Sequence, residues 1–387
     1  MTDQMLRDLL EERVSGVAVP DLSAGAWRTG RRARRRTRLA VLGAAAAATA
    51  AVTLGGAVLT GTGRTTQPAP PPGGPTLTSA PTPPTAEPDA RYEGVPVWWS
   101  VGREQEGDLS PVDDSPLPEV IDLRSAPTAE RPDRAVAAFA VGDQVRLVDP
   151  SGAQLSLSLD RLDDVTKPNG YGYRPVSHSM LSPTGEYLVF PQDDSVEVYT
   201  LATGQWRSID TGDRVTRFVT WVGDDSFVLP GSASGGGDVL DVRGDLVSPG
   251  GTQMRSPRLR PGFDTRTAQA FGLTRRSPGG SEAQAWGMGV PVPVADPGKH
   301  LAEPEFVAAR VGGVTRVLAI LWEIHDEGRY LQCCPVAGWL DDRTLVYESR
   351  QTDPALVAWT VGSDEFRLVS RIEGSYAVAS FAQLWQD

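Results

Sequence analysis

Cysteine is nearly absent from this chain of 387 residues: there are two, Cys333 and Cys334, and they are adjacent. Neighbouring thiols supply neither a disulfide framework nor the four ligands of a structural zinc site. In an exported domain they leave two states open, a strained vicinal disulfide or a pair of thiols. Histidine is scarce too, and His178, His300 and His325 lie far apart, so no ligand spacing announces a metal. Lysine occurs only as Lys167 and Lys299 and asparagine only as Asn169, whereas 35 arginines are present, a bias that matches a high-GC bacterial genome. There is no Gly-x-Ser-x-Gly elbow, no His-Glu-x-x-His, no Gly-x-x-x-x-Gly-Lys and no Asp-x-Asp-x-Asp-Gly loop. Their absence removes the signatures of α/β-hydrolases, zinc proteases, P-loop enzymes and EF-hand proteins. No cofactor and no metal are expected.

What is plentiful is glycine and proline, 41 and 32 residues, too many for a helical protein, while 40% apolar residues suffice for a sizeable core. The net charge of −12 is unevenly spread: residues 1–64 hold ten Arg against five acids, so the other 323 residues carry −17. An acidic body argues against a nucleic-acid partner. From Leu39 to Gly63 there are 25 residues without a charge, longer than the roughly 20 that a bilayer core requires. Arg31, Arg32, Arg34, Arg35, Arg36 and Arg38 precede this run, and only Arg64 follows before Glu87. The positive-inside bias therefore predicts a cytoplasmic tail over 1–38, a transmembrane helix over 39–60 and an extracytoplasmic remainder. A basic stretch of this length is unusual for a cleaved signal, and Arg35-Arg36-Thr37-Arg38-Leu39 is a partial twin-arginine pattern, so cleavage and export route stay open. Residues 61–90 contain nine prolines and few charges, the composition of an extended, disordered linker.

In the tail, Leu6, Leu9, Leu10 and Val14 share one face of a short amphipathic helix. It reads either as a solvated or membrane-surface helix or as a docking element for a cytoplasmic regulatory partner. Leu6-Arg-Asp-Leu-Leu-Glu-Glu-Arg-Val14, Pro20-Asp-Leu22 and the Arg run resemble the N-termini of actinobacterial single-pass membrane proteins that accompany extracytoplasmic-function sigma factors, such as anti-sigma factors. The His and paired Cys of the zinc-containing anti-sigma class are absent from residues 1–38.

From residue 91 onward, short apolar runs alternate with Gly, Pro, Asp and Ser clusters, as strands joined by tight turns do. Trp221-Val-Gly-Asp-Asp-Ser-Phe-Val-Leu229 aligns without gaps to Trp339-Leu-Asp-Asp-Arg-Thr-Leu-Val-Tyr347, and Leu181-Ser-Pro-Thr-Gly-Glu-Tyr-Leu-Val-Phe190 is the same unit with one extra residue. The first spacing is 40 residues and the second 118, near three times 39. An antiparallel unit recurring every 40 or so residues is what a β-propeller needs, since one sheet cannot bury both faces alone. Met180–Phe190 followed by Val196–Trp206 resembles a blade of the TolB-like and WD40-like propellers, with Thr184 in place of the usual Asp. The expected fold is all-β, a propeller over 91–387 with seven blades (92–123, 134–159, 176–209, 216–247, 266–296, 304–333 and 336–372) or six. The leftover strand within Tyr376–Trp385 is expected to complete the first blade.

Two places carry candidate chemistry. Glu323 and His325 share a face of Trp322–Glu327, so an acid/base pair is geometrically open to them, although a solvated hairpin end explains the same residues. Tyr171, Tyr173, Arg174 and His178 form an aromatic-basic cluster on a connection, suited either to binding at the rim of a ring or to capping the interface between blades. Trp98 and Trp99 open the domain, and alternation turns one of them outward; Trp99 is the contact candidate. The reading is a membrane-anchored, non-enzymatic binding or sensing module for a cell-envelope ligand or protein, with signalling through the tail as an extension. The rival is an envelope hydrolase or lyase with its site at the mouth of the ring.

Overall fold

The computed structural model describes residues 86–387 except 114, 126, 128–130, 167–171, 213–218, 231–236, 249–260, 262–268, 288–304, 321–333, 351–352 and 385–387. The chain divides into the units Met1–Ser79 and Ala80–Asp387, and all described residues belong to the second. The expected membrane helix and docking helix lie outside the described residues. Among those described, no helix is long and apolar enough to cross a membrane.

The described chain opens with a hairpin of β1 (Ala90–Tyr92) and β2 (Val95–Trp99). Its central residues Glu93 and Gly94 both have positive φ, as a type I′ turn requires. A single helical turn, α1 (Arg103–Glu106), and β3 (Val120–Asp122) follow. Next come β4 (Ala137–Val141), β5 (Gln144–Val148) and β6 (Gln154–Ser158), then a small ribbon of β7 (Val165–Thr166) and β8 (Gly172–Tyr173). The next sheet holds β9 (Tyr187–Pro191), β10 (Ser195–Thr200) and β11 (Gln205–Asp210). Another holds β12 (Thr220–Trp221), β13 (Ser226–Pro230), β14 (Gly237–Asp241) and β15 (Leu246–Ser248). A further sheet holds β16 (Gln269–Arg276), β17 (Glu282–Gly287), β18 (Glu305–Val311) and β19 (Val314–Ile320). The last sheet is β20 (Val336–Trp339), β21 (Thr344–Ser349), β22 (Ala355–Thr360) and β23 (Phe366–Glu373), after which β24 (Ala379–Phe381) ends the fold.

These strands make a propeller of five blades, not seven or six. Blade 1 runs β24-β4-β5-β6, blade 2 is β9-β10-β11 with Leu181 bridged to Leu188 on its inner side, and blade 3 is β12 to β15. Blade 4 is β16 to β19 and blade 5 is β20 to β23. Both errors of the higher count have a physical origin. The segment 92–123 is no blade: β2 lies parallel to β19 on the outer edge of blade 4, and β3 lies parallel to β23 on that of blade 5. The segments 266–296 and 304–333 are one blade, because β17 pairs with β18 across residues 288–304. The 118-residue spacing therefore covers two blades enlarged by insertions. The leftover strand does close the ring, as β24 pairs with β4, but the blade it completes begins at residue 137.

The core lies between blades, so inner strands are apolar on both faces. In β22, Val357 and Trp359 pack towards blade 4, while Leu356 and Ala358 pack towards blade 1. Leu147 and Leu159 of blade 1 meet Leu188 and Phe190 of blade 2, and Val196 and Val198 of blade 2 meet Trp221 and Phe227 of blade 3. Leu273 of β16 joins that last cluster and brings blade 4 against blade 3. The order around the ring is thus 1-2-3-4-5 and back to 1. Trp221 and Trp339, the anchors of the ungapped repeat, are both buried at the ends of innermost strands. Cys334 is buried between blades 4 and 5 and is disulfide-bonded; Cys333, the only other cysteine, lies outside the described residues.

Candidate functional site

The ring axis is where an inner strand edge meets side chains from distant blades. In β24, Ser380 pairs with Ala138, and the Val378 carbonyl and Ala382 N–H also face β4. Alternation along an antiparallel strand therefore turns the Ala379 and Phe381 carbonyls to the inner side. Left bare, such buried acceptors are costly. His178, on the connection entering blade 2, holds Nδ1 2.8 Å from the Ala379 carbonyl oxygen. A carbonyl only accepts, so Nδ1 carries the proton in this contact. Arg275, near the end of β16, donates from one terminal nitrogen to the Phe381 carbonyl and from Nε to the Val336 carbonyl at 3.3 Å. The Trp339 indole N–H in turn donates to the Arg275 carbonyl at 3.2 Å.

These contacts cross the ring. Blade 4 and blade 1 are not neighbours, yet Arg275 joins them, touching blade 5 on the way. His178 leads into blade 2, and its ring lies 5.4 Å from that of Phe271 in blade 4, again two blades away. Between them, Gly272 has a φ of +64°, and a Cβ there would come within 3.7 Å of the His178 Cβ and 3.5 Å of the Pro335 Cβ. The His178 backbone is fixed as well: its carbonyl accepts from the Ser380 hydroxyl, which itself accepts from the Leu181 N–H at 3.1 Å. The axis thus gathers an imidazole, a guanidinium, a phenyl ring and two strand edges.

Arg275 is 5% exposed. Burial alone pushes its guanidinium down to about 10, and no carboxylate opposes that shift. Among the described residues nothing forms an ion pair with it. Its remaining terminal nitrogen, Nη1, bonds to none of them and is not one of the sealed polar atoms, so it keeps a path to solvent.

A second polar cluster sits where blade 5 meets the closing segment. Glu348 is fully buried at the end of β21, accepts from the Tyr376 hydroxyl at 2.7 Å and is ion-paired with Arg350. The Arg350 guanidinium lies 4.3 Å above the Tyr376 ring, a cation–π contact. Burial pushes the Glu348 carboxyl up, with the Arg350 charge and the Tyr376 hydroxyl opposing it. This is a latch across the ring closure.

The residues singled out in the sequence divide. His178 reaches the axis, whereas Arg174 turns outward to an ion pair with Asp143 and lies 3.7 Å from Asp164. Tyr173 sits in β8 opposite Val165. Trp98 is buried with its ring 6.1 Å from that of Trp359, and Trp99 is half-buried, its backbone N–H donating to Asp89 at 2.8 Å. Tyr171, Glu323, His325, Leu6, Leu9, Leu10 and Val14 lie outside the described residues. Among the described residues no group of three or more His, Cys, Asp or Glu is placed to hold a metal. Arg275 was missed, yet a signal for it exists. Ser277-Pro-Gly-Gly280 repeats Ser182-Pro-Thr-Gly185, and the two turns share the Gly-to-Ser hydrogen bond at 3.0 Å. That alignment sets Arg275 where blade 2 has the buried Met180.

No protein-family profile matches the chain, and no curated protein matches it. Among solved structures it is similar to a putative TolB from Agrobacterium tumefaciens, at 14% identity over 62% of this chain and 69% of that one, with a TM-score of 0.25. It is similar to the β-propeller domain of the Trilobed protease from Pyrococcus furiosus, at 9% identity over 61% and 69%, TM-score 0.24. AztD of Citrobacter koseri matches at 9% identity over 63% of this chain and 96% of that one, also at 0.24. At these values nothing about activity passes to this chain, and the blade architecture rests on its own strand pairing.

Proposed function

We propose that this protein is a membrane-anchored extracytoplasmic binding or sensing module whose five-bladed ring takes a cell-envelope ligand or a segment of a protein partner at its axis. The observation that carries this reading is the convergence of His178, with Phe271 against its ring, and Arg275 on the inner edge of β24 from blades 2 and 4, which are not adjacent. A few oriented polar groups beside an aromatic ring at a junction of several elements are usual makings of a binding site. The uncharged run from Leu39, its Arg flank and the proline-rich segment support the anchor, and the amphipathic pattern of residues 6–14 supports a cytoplasmic regulatory partner.

Crosslinking in native membranes tests it. Full-length protein, a version lacking residues 1–30 and a His178→Ala variant are recovered and their partners compared. The expected result is one partner held by the first two and lost from the third. A partner that depends only on residues 1–30 would move the function to the tail.

A further inference from the structure

We infer that the axial site binds its ligand through an anionic group, a carboxylate or a phosphate, held by Arg275; this rests on the binding reading above and specifies its chemistry. Three observations converge. The guanidinium is taken almost wholly out of water without a carboxylate to balance it, an arrangement that is costly for a charge unless an anion or a set of acceptors completes it. The two carbonyls it reaches use Nε and one terminal nitrogen, and they leave Nη1 without a bond to the described residues. Those two bonds also hold the planar group across the axis, so its remaining N–H donors are oriented before a ligand arrives. Arginine presents such a fork to carboxylate and phosphate oxygens with little further ordering.

Several other arginines are paired with carboxylates: Arg350 with Glu348, Arg276 and Arg310 with Glu282, and Arg124 with Asp122 and Glu373. Arg146 also has guanidinium nitrogens buried without a partner, but they are sealed from solvent, whereas Nη1 of Arg275 is not. Since the residues beyond 64 carry a net −17, an anion is repelled over most of the surface. Arg275 is then a local exception, and selectivity follows from the direct contact rather than from the field of the whole domain. The imidazole of His178, against the Phe271 ring, meets the same inner edge of β24 two residues from the Arg275 contact, so an anion attached to an apolar body suits the site better than a bare ion.

Glyoxal footprinting on the full chain in lipid nanodiscs tests the inference without a substitution, and this arginine-reactive dicarbonyl is small enough to enter where acetate does. Peptide mass spectrometry follows Arg275, with exposed Arg310 as the internal control. Arg275 is expected to react, and sodium acetate or sodium phosphate to slow that reaction about fivefold or more relative to chloride at equal ionic strength, the protection a site mostly filled by an oriented oxyanion gives. Protection by acetate alone identifies a carboxylate, by phosphate alone a phosphoryl group, and by both an oxyanion of either kind. Reaction unaffected by either anion overturns the proposal, and so does an Arg275 that never reacts while Arg310 does. If the His178-dependent partner is still captured in either of those cases, the binding reading stands and only the anionic ligand falls.

Discussion

At Arg275, one side chain does for three blades what a backbone ladder does within a sheet: it satisfies carbonyls that no neighbouring strand reaches. Methionine fills the matching position in blade 2, so Arg275→Met preserves bulk and removes only the donors. It is expected to lower unfolding stability by about 1–3 kcal/mol, the range for sealed acceptors that lose a charged donor, as measured by denaturant unfolding of the full chain. Tyr376 is a different kind of test. Removing its hydroxyl strips one donor from a carboxylate sealed from water, and Tyr376→Phe should cost about 1–3 kcal/mol. The sign of its pH dependence follows from Glu348. That group's folded pKa lies above its ordinary 4.5, so the folded state holds the proton longer and stability falls as pH rises from 4.5 through the folded value. The hydroxyl opposes that rise, so the loss on raising pH should be larger and extend higher in the variant; an unchanged pH profile would count against the latch. A residue pair such as Glu348 and Arg350 is not legible beforehand, because two charges two residues apart on a strand look like a solvated face. Tyr376, 28 residues after Glu348, completes the pair's environment only when the closing segment packs.

The elements were easier to read than their grouping. Alternation and turn residues located most strands, and the tryptophan-anchored repeat located the hairpins of blades 2, 3 and 5. What failed was the assumption of a constant period, since insertions stretch blade 4 and its interval resembled two blades. The Ser-Pro-x-Gly turn would have corrected it, being set by local geometry rather than by spacing. Gly185 and Gly280 both take positive φ, at 79° and 85°, but their surroundings differ. A Cβ at Gly185 would run into the Ala135 carbonyl oxygen of blade 1, while one at Gly280 meets nothing within 4 Å. Gly280→Ala should therefore cost about 1 kcal/mol from the backbone conformation alone. Gly185→Ala should cost at least twice as much, because blades 1 and 2 must separate. Parallel thermal melts distinguish the two, and equal losses would mean that the turn does not abut its neighbour.

For the whole molecule, closure is the decisive event. Blade 1 takes its innermost strand from the end of the chain, and both the Glu348 latch and the Arg275 contact to Phe381 lie on that seam. A chain ending at Glu373 keeps four complete blades yet loses β24, Tyr376 and one of the two acceptors of Arg275. It is expected to lose cooperative unfolding, seen as a broad transition by circular dichroism and rapid proteolysis; a sharp melt near that of the full chain would show that the ring stands open without its seam. The sequence indicated this closing strand but assigned it to residues 92–123, because strands laid on outer edges have the same composition as strands inside a blade.

Those outer-edge strands impose an order in time. Val97 of β2 pairs with Val317 of β19, and Ile121 of β3 with Ile372 of β23, each some 220 to 250 residues further on. The β1–β2 hairpin and β3 thus lack their blade partners until the last two blades exist, and non-local pairing of this kind is slow to form. If the chain is threaded outward from its N-terminus, the leading hairpin and β3 wait undocked while the blades form, and the domain is sealed at its beginning only after its last blades are in place.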